Sequence, residues 1–202
     1  MRRFDGGKLL IATHNDGKLA EMRAMFASSG LTVVSSGMLG LPEPEETETT
    51  FLGNARIKAH AAASATGLVA LGDDSGLEVD ALGGQPGVYT ADWAQTPHGR
   101  DFGAAMKKVH DALLATGAAE PWRARFRCTL VLAWPDGHDE VFEGAVEGTL
   151  VWPIRGAEGH GFDPMFLPDG ENQTFAEMPG DVKNRISHRA RAISTLMAGC
   201  FT

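Results

Sequence analysis

Two adjacent carboxylates follow an apolar run in the first half of the chain. Residues 68–77 read LVALGDDSGL, which places Asp73 and Asp74 directly after a short hydrophobic segment. Neighbouring carboxylates repel each other, and burial increases the cost of their charge. A divalent cation offsets both penalties and can position a water molecule for hydrolysis. Two interpretations therefore stay open: a metal-assisted hydrolytic site, or a turn or helix cap, since DDSG also suits a turn.

An acidic stretch could supply further metal ligands. Residues 42–48 read PEPEETE, which contains the carboxylates of Glu43, Glu45, Glu46 and Glu48. Such oxygens suit a hard divalent cation. The alternative interpretation is a solvated surface segment, which is the common fate of a run of glutamates.

Two further segments could bind phosphate. The sequence THNDGK at 13–18 joins a predicted strand to a predicted helix, so its backbone N–H groups and Lys18 could face an anion. It lacks the P-loop pattern, and an ordinary Asn-Asp-Gly turn is the alternative. Asn54 and Lys58 are four residues apart, which places them on one face of a predicted helix.

The last third of the chain contains a glycine-flanked loop and a basic segment. GHGFDP at 159–164 combines an aromatic ring with a carboxylate, and such a loop can contact a nucleobase or only turn a corner. KNRISHR at 183–189 holds Lys183, Arg185, His188 and Arg189. Positive charges in the first turn of a helix oppose its dipole, which favours an anionic partner for this segment.

Hydrophobic periodicity predicts a mixed α/β fold around these residues. The predicted strands are 8–13, 31–36 and 68–73, with the two aspartates at the carboxyl end of the third, followed by a hairpin over 123–151 that turns at 135–137. The predicted helices are 16–30, 49–67, 99–116 and a single helix over 183–199. Thr residues and Gly67 are expected to cap the second helix.

Composition limits the possible classes of function. The chain has 202 residues, 43% of them hydrophobic and 22% charged, and a net charge of -8, which is typical of a globular protein of one domain or two small lobes. An acidic protein has no general attraction to nucleic acid or to anionic membranes. Two distant cysteines and no signal-peptide pattern predict a cytoplasmic protein, and no run approaches the roughly 20 apolar residues of a membrane span.

Five motifs in order resemble the inosine/xanthosine triphosphate pyrophosphatase family over nearly the full chain. They are IATHNDGK, EETETTFLGNARIKA, GDDSGLEVDALGGQPGVYTADW, GHGFDPMF and KNRISHRARA. The resemblance implies one pyrophosphatase domain over residues 1–202, with an elongated two-lobed α/β fold, a central mixed sheet flanked by helices and a cleft between the lobes. It also implies a cytoplasmic, Mg²⁺-dependent homodimer that hydrolyses ITP, dITP and XTP to the monophosphate and pyrophosphate.

The resemblance also implies a role for each site residue. Asp74 matches the proton acceptor and a metal ligand, with Glu46 or Glu45 as the second metal carboxylate. The residues implied to cradle the triphosphate are Thr13, His14, Asn15, Asp16, Gly17, Lys18 and Lys58. Ser75 matches a neighbouring substrate contact. The residues implied to form the base-recognition loop are His160, Gly161, Phe162 and Asp163. Those implied to complete the grip on both base and phosphate are Lys183, His188 and Arg189.

Two positions depart from the family's usual pattern. His14 stands where the first loop usually has a glycine, and His160 stands where the recognition loop usually has a phenylalanine. A histidine ring can still stack on a purine. Two other functions stay open at this stage: a pyrophosphatase for other modified nucleotides, such as pyrimidine or methylated ones, and a non-catalytic nucleotide-binding module.

Overall fold

Strands and helices alternate along the first half of the chain, as the hydrophobic pattern predicts. In the computed structural model, which describes residues 1–201, the strands are β1 (Lys8–Ile11), β2 (Thr32–Ser35), β3 (Ala70–Val79), β4 (Gln95–Thr96), β5 (Gly99–Arg100), β6 (Trp122–Ala133), β7 (Asp139–Leu150) and β8 (Phe166–Pro168). The α-helices are α1 (Asp16–Phe26), α2 (Phe51–Thr66), α3 (Phe102–Thr116), α4 (Gly180–Ile186) and α5 (His188–Cys200).

A six-stranded mixed sheet organises the fold. Its strand order is β2-β1-β3-β6-β7-β8, and β4 pairs separately with β5. Strand β1 is parallel to β2 and to β3, whereas β7 is antiparallel to β8. The predicted mixed α/β class with a central sheet and flanking helices is therefore confirmed. None of the helices within residues 1–201 combines the length and hydropathy that a bilayer crossing requires.

The chain forms two compact units, and β3, β6 and β7 contribute residues to both. The first unit contains residues 1–74 and 128–144 and the chain from 189 onward, and the second contains 75–127 and 145–188. In the first unit, α1 and α5 pack on one face of the sheet and the alanines of α2 pack on the other. In the second unit, α3 contributes to a single hydrophobic cluster.

Helix α2 follows its sequence signals closely. The Thr50 hydroxyl oxygen accepts a hydrogen bond from Gly53 N at 3.1 Å, and Gly67 ends the helix with a φ of 69°, so both predicted caps are confirmed. The helix lies close to β3, because a Cβ added at Gly72 would be only 2.3 Å from the backbone oxygen of Ala55. This close approach brings α2, and Lys58 with it, against the strand that carries the aspartates.

Strand β3 is longer than predicted, which corrects the expected place of the aspartates. The sequence predicts that the strand ends near Asp73, but the strand continues to Val79, so both carboxylates lie in its middle. Ser and Gly after the aspartates suit a turn. Buried side chains hold the backbone extended instead, since Leu77 and Val79 alternate along the strand and both are fully buried.

The end of the chain also differs from the prediction of one helix over 183–199. Ser187 has an extended backbone, with φ −65° and ψ 160°, and it separates α4 from α5. Lys183 and Arg185 therefore lie in the last turn of α4, where positive charge is favourable to the helix dipole. The predicted hairpin is confirmed, with β6 and β7 joined by a turn in which Gly137 N donates to Trp134 O at 3.0 Å.

Candidate active site

Asp73 is a fully ion-paired carboxylate on the face of β3 that α1 and α5 cover. Lys18 Nζ donates to its Oδ1 at 2.6 Å, and Arg189 Nε donates to its Oδ2 at 3.1 Å. The thiol of Cys128 lies 3.3 Å from the same Oδ2. Burial alone would raise the pKa of Asp73, but the Arg189 charge and then the Lys18 charge hold it well below its usual range. Asp73 is therefore a permanent anion that anchors two cations.

Asp74 has a different environment, because consecutive residues of a strand point to opposite faces. Lys58 Nζ of α2 donates to its Oδ1 at 3.0 Å. Its Oδ2 is buried and has no hydrogen-bond partner among residues 1–201. Burial raises the pKa of Asp74 to about 6, and the nearby Lys58 charge offsets only part of that effect. A carboxylate with an open oxygen and a pKa near neutrality can accept a proton from water.

Lys58 bridges two carboxylates. Besides Asp74, its Nζ contacts Glu46 Oε1 at 3.3 Å, and the Glu46 side chain is 38% exposed. Burial lowers the pKa of Lys58, but the charges of Asp74 and Glu46 outweigh burial and raise the pKa above its ordinary value. The acidic segment is held against α2 by Asn54, whose buried side-chain oxygen accepts a hydrogen bond from Glu48 N at 3.0 Å.

The residues around Lys58 fit a divalent cation that also binds phosphate. Asp74 and Glu46 already converge on a positive charge, and Asp74 Oδ2 is an orphaned buried acceptor. No cluster of three or more His, Cys, Asp or Glu side chains that could enclose a metal occurs within the described chain. Mg²⁺ commonly takes one or two carboxylates and completes its shell with phosphate oxygens and water. Glu45 is exposed and makes no side-chain contact of this kind within the described residues.

The first loop is fixed by its own side chains. Asn15 is the N-cap of α1, with its Oδ1 accepting from Lys18 N at 2.9 Å, and its own N–H donates to Thr13 Oγ1 at 3.1 Å. Asp16 and Gly17 form the first turn of the helix. His14 Nε2 donates to Leu41 O at 2.7 Å. Only glycines among residues 1–201 have a positive φ, so His14 causes no backbone strain.

In the second unit, Asp163 organises the glycine-flanked loop. Its Oδ2 accepts hydrogen bonds from His160 N at 2.7 Å and from Lys183 Nζ at 2.6 Å. The side chains of Asp163 and Lys183 are both buried. A Cβ at Gly159 would lie 2.2 Å from that oxygen. Gly161 has a φ of 64°, which glycine adopts without strain. The loop is therefore tightly folded around one carboxylate.

The aromatic rings near this loop are part of the core. Phe162 is 1% exposed and packs edge-to-face on Phe102 with centroids 5.9 Å apart, so its ring supports the loop and is not available to stack on a base. His160 is exposed. His188 is buried and stacks on Phe126 with centroids 4.9 Å apart. Ser75, next to Asp74 in β3, is half-buried.

The basic segment is not an open anion site, which corrects the argument from the helix dipole. Lys183 pairs with Asp163, and Arg185 pairs with the exposed Asp181. Arg189 joins Asp73 to Glu21 of α1. Sequence reasoning missed Glu21, although its spacing of three residues from Lys18 places both on one face of α1. It also missed Cys128, for which no local pattern gave a signal.

Comparison with known proteins assigns the family. The dITP/XTP pyrophosphatase of Ruegeria pomeroyi is 66% identical over 200 residues, which cover 99% of this chain and 98% of that protein. The dITP/XTP pyrophosphatase of Zymomonas mobilis is 53% identical over 98% of this chain and 94% of that protein. A solved HAM1 protein from Coxiella burnetii superposes with a TM-score of 0.86 and 34% identity, covering 95% of this chain and 96% of that one. The model of the Ham1 family matches residues 9–199, and the chain belongs to that family.

Proposed function

We propose that this protein hydrolyses deaminated purine nucleoside triphosphates, ITP, dITP and XTP, to the monophosphate and pyrophosphate. Its similarity to two dITP/XTP pyrophosphatases supports this substrate class. The observation that carries the proposal is the pair Asp73 and Asp74: Lys18 and Arg189 bind both oxygens of Asp73, whereas Asp74 pairs with Lys58 through Oδ1 and keeps a buried Oδ2 without a partner among the described residues. Such a pair separates a permanently charged anchor from a group that can exchange a proton near neutral pH.

Asp74 is the proton acceptor in this proposal. Its orphaned Oδ2 takes a proton from a water molecule as the water oxygen attacks the α-phosphorus. The bond between the α-phosphorus and the oxygen that bridges it to the β-phosphorus breaks, and pyrophosphate leaves with that oxygen. Asp73 is less suited to this role, because Lys18, Arg189 and Cys128 already contact its two oxygens.

Two lysines bind the phosphate chain. Lys18 stands at the N-terminal turn of α1, where backbone N–H groups also favour an anion, and its ion pair with Asp73 restricts its position. Lys58 reaches from α2 and neutralises charge that develops on the phosphate oxygens. Thr13, His14, Asn15, Asp16 and Gly17 complete the loop that cradles the triphosphate.

Asp74 and Glu46 would hold Mg²⁺. When bound, this ion neutralises phosphate oxygens and orients the triphosphate for in-line attack. Glu46 is the better candidate than Glu45, because Glu46 already shares a cation with Asp74. Metal removal by a chelator should therefore abolish turnover and leave the fold intact.

Base selection follows the chemistry of the purine 6-position. ITP and XTP carry a carbonyl there, which can accept a hydrogen bond from a buried donor in the site. The 6-amino group of adenine cannot accept that bond, so adenine would leave the donor unpaired. We assign contacts with the base to His160, Gly161, Lys183 and His188, and a neighbouring contact to Ser75. Phe162 and Asp163 then position this loop, and Arg189 positions Asp73.

Three further properties follow from the family resemblance and are part of this proposal: a single pyrophosphatase domain over 1–202, a homodimer, and a cytoplasmic location. Light scattering during gel filtration tests the dimer, since a monomer mass at micromolar concentration would exclude it. Fractionation of the source cells tests the location.

The test of function is pyrophosphate release from ITP, dITP, XTP, ATP and GTP, each with and without Mg²⁺. The proposal expects metal-dependent release from the first three substrates, with kcat/KM for ATP lower by about 10²-fold or more, because its 6-amino group leaves the buried donor unpaired. GTP shares the 6-carbonyl, so a lower kcat/KM for GTP requires a separate penalty at its 2-amino group. Release mainly from modified pyrimidine or methylated triphosphates would favour the first alternative function. Tight binding of ITP without any pyrophosphate would favour a binding module.

A further inference from the structure

Lys58 stands where the proposed metal ligands meet. Its ammonium is 3.0 Å from Asp74 Oδ1 and 3.3 Å from Glu46 Oε1, and its side chain is 9% exposed. It is thus a cation that both carboxylates already share in the nucleotide-free protein. A second cation cannot join the same oxygens without bringing two positive charges to within a few ångströms in a poorly solvated place.

We propose that Lys58 acts as an internal cation that excludes divalent metal from Asp74 and Glu46 until a triphosphate draws its ammonium away. The inference rests on the proposed function, because it takes these two carboxylates as the metal ligands. It goes further in giving Lys58 a second task besides binding phosphate. Metal and nucleotide then bind with positive coupling, and the free enzyme has low affinity for metal.

The surroundings of Lys58 allow this movement. The side chain borders a pocket of about 110 Å³ whose other walls include Ala61, Ala62 and Pro42. Ala61 and Ala62 lie about one turn after Lys58 on α2, and their small side chains leave room for the lysine to change rotamer. Glu46 can follow the metal, since its side chain is partly exposed, whereas Asp74 is fixed within β3. Phosphate oxygens give the displaced ammonium a new anionic partner.

The test measures Mn²⁺ binding to the nucleotide-free protein by electron paramagnetic resonance of free Mn²⁺. Lys58→Met removes the ammonium but keeps the length of the side chain. Arg56→Met is the matched control, because it removes a positive charge from the same helix, where Arg56 pairs with Asp139 and is half exposed. The proposal expects Lys58→Met to bind Mn²⁺ at least ~10-fold more tightly than the wild type, as expected when a charge a few ångströms away is removed. Arg56→Met should stay within about twofold of the wild type, because the charge it removes is exposed to solvent and contacts neither Asp74 nor Glu46.

Equal affinity of the wild type and Lys58→Met would overturn the proposal, and so would an equal gain in Lys58→Met and Arg56→Met. If Lys58→Met fails to fold by circular dichroism, Lys58→Gln replaces it and must show the same gain. Adding Asp74→Asn to the Lys58 variant should abolish the gain. Pyrophosphate release from ITP by the wild type is scored separately, so its absence would contradict the proposed function without changing the Mn²⁺ comparison.

Discussion

Asp73 and Asp74 are consecutive residues of β3, yet their carboxylates lie on opposite faces of the strand and belong to different ion pairs. Lys18 contacts the first at 2.6 Å, and Lys58 contacts the second at 3.0 Å. Burial raises the pKa of both carboxyl groups, but only Asp73 also contacts an arginine, whose charge lowers its pKa. The strand thus provides an anchor on one face and the proposed proton acceptor on the other.

Asp74→Asn should lower kcat for ITP by about 10²–10⁴-fold, because an amide cannot accept the proton from water. Steady-state assays of pyrophosphate release at saturating ITP and Mg²⁺ measure this. Asp111→Asn, at an exposed position on α3, is the control and should keep wild-type kcat. Activity of Asp74→Asn within threefold of the wild type would remove Asp74 from the mechanism.

The raised pKa of Asp74 makes stability depend on pH. The native state holds this proton more tightly than the unfolded chain, so the stability it contributes is present below about pH 3.8 and is lost as pH rises through about 6. Across this window, the wild type should lose up to about 3 kcal/mol of unfolding free energy relative to Asp74→Asn.

Urea unfolding of both proteins in a chelator, at several pH values from 4 to 7, isolates this effect, because other titrating groups cancel in the difference. A difference between the two proteins that stays constant with pH would contradict the raised pKa.

Lys183→Met should destabilise the protein by about 3–5 kcal/mol, because it leaves Asp163 charged and without its buried ammonium. Arg185→Met is the matched control on the same helix, since its partner Asp181 is exposed, and it should cost less than about 1 kcal/mol. Urea unfolding at pH 7 compares them. Equal losses would mean that the Lys183 pair is no more than a surface contact.

Gly72→Ala should shift α2 away from β3, because the new methyl group would meet the backbone oxygen of Ala55. Overpacking of this kind costs about 1–3 kcal/mol, and displacement of Lys58 should also raise the KM for ITP. Gly180→Ala is the control, since nothing lies within 4 Å of its added Cβ. An unchanged KM in Gly72→Ala would show that the close approach does not position Lys58.

Local signals in the sequence were sufficient for some elements. Residues near each other in the chain specify the caps of α2 at Thr50 and Gly67 and the turn before β7. They also specify the alternation of strands and helices along the chain from β1 to β3. The candidate site residues Asp74, Lys18 and Lys58 can be identified for a similar reason, since each lies at a defined place in a predicted strand or helix.

Long-range packing decided the features that sequence reasoning missed. Strand β3 continues past Ser75 because Leu77 and Val79 enter the core of the second unit. Arg189 binds Asp73, which is 116 residues away in the chain, and no local pattern specifies that pair. Phe162 lies in the predicted recognition loop, and its contact with Phe102, which is distant in the sequence, buries its ring.

The most direct test of the central claim is hydrolysis of ITP in ¹⁸O-labelled water, with the products identified by ³¹P nuclear magnetic resonance. Attack at the α-phosphorus predicts one ¹⁸O atom in inosine monophosphate and unlabelled pyrophosphate. Release of orthophosphate, or ¹⁸O in the pyrophosphate, would contradict the proposed reaction.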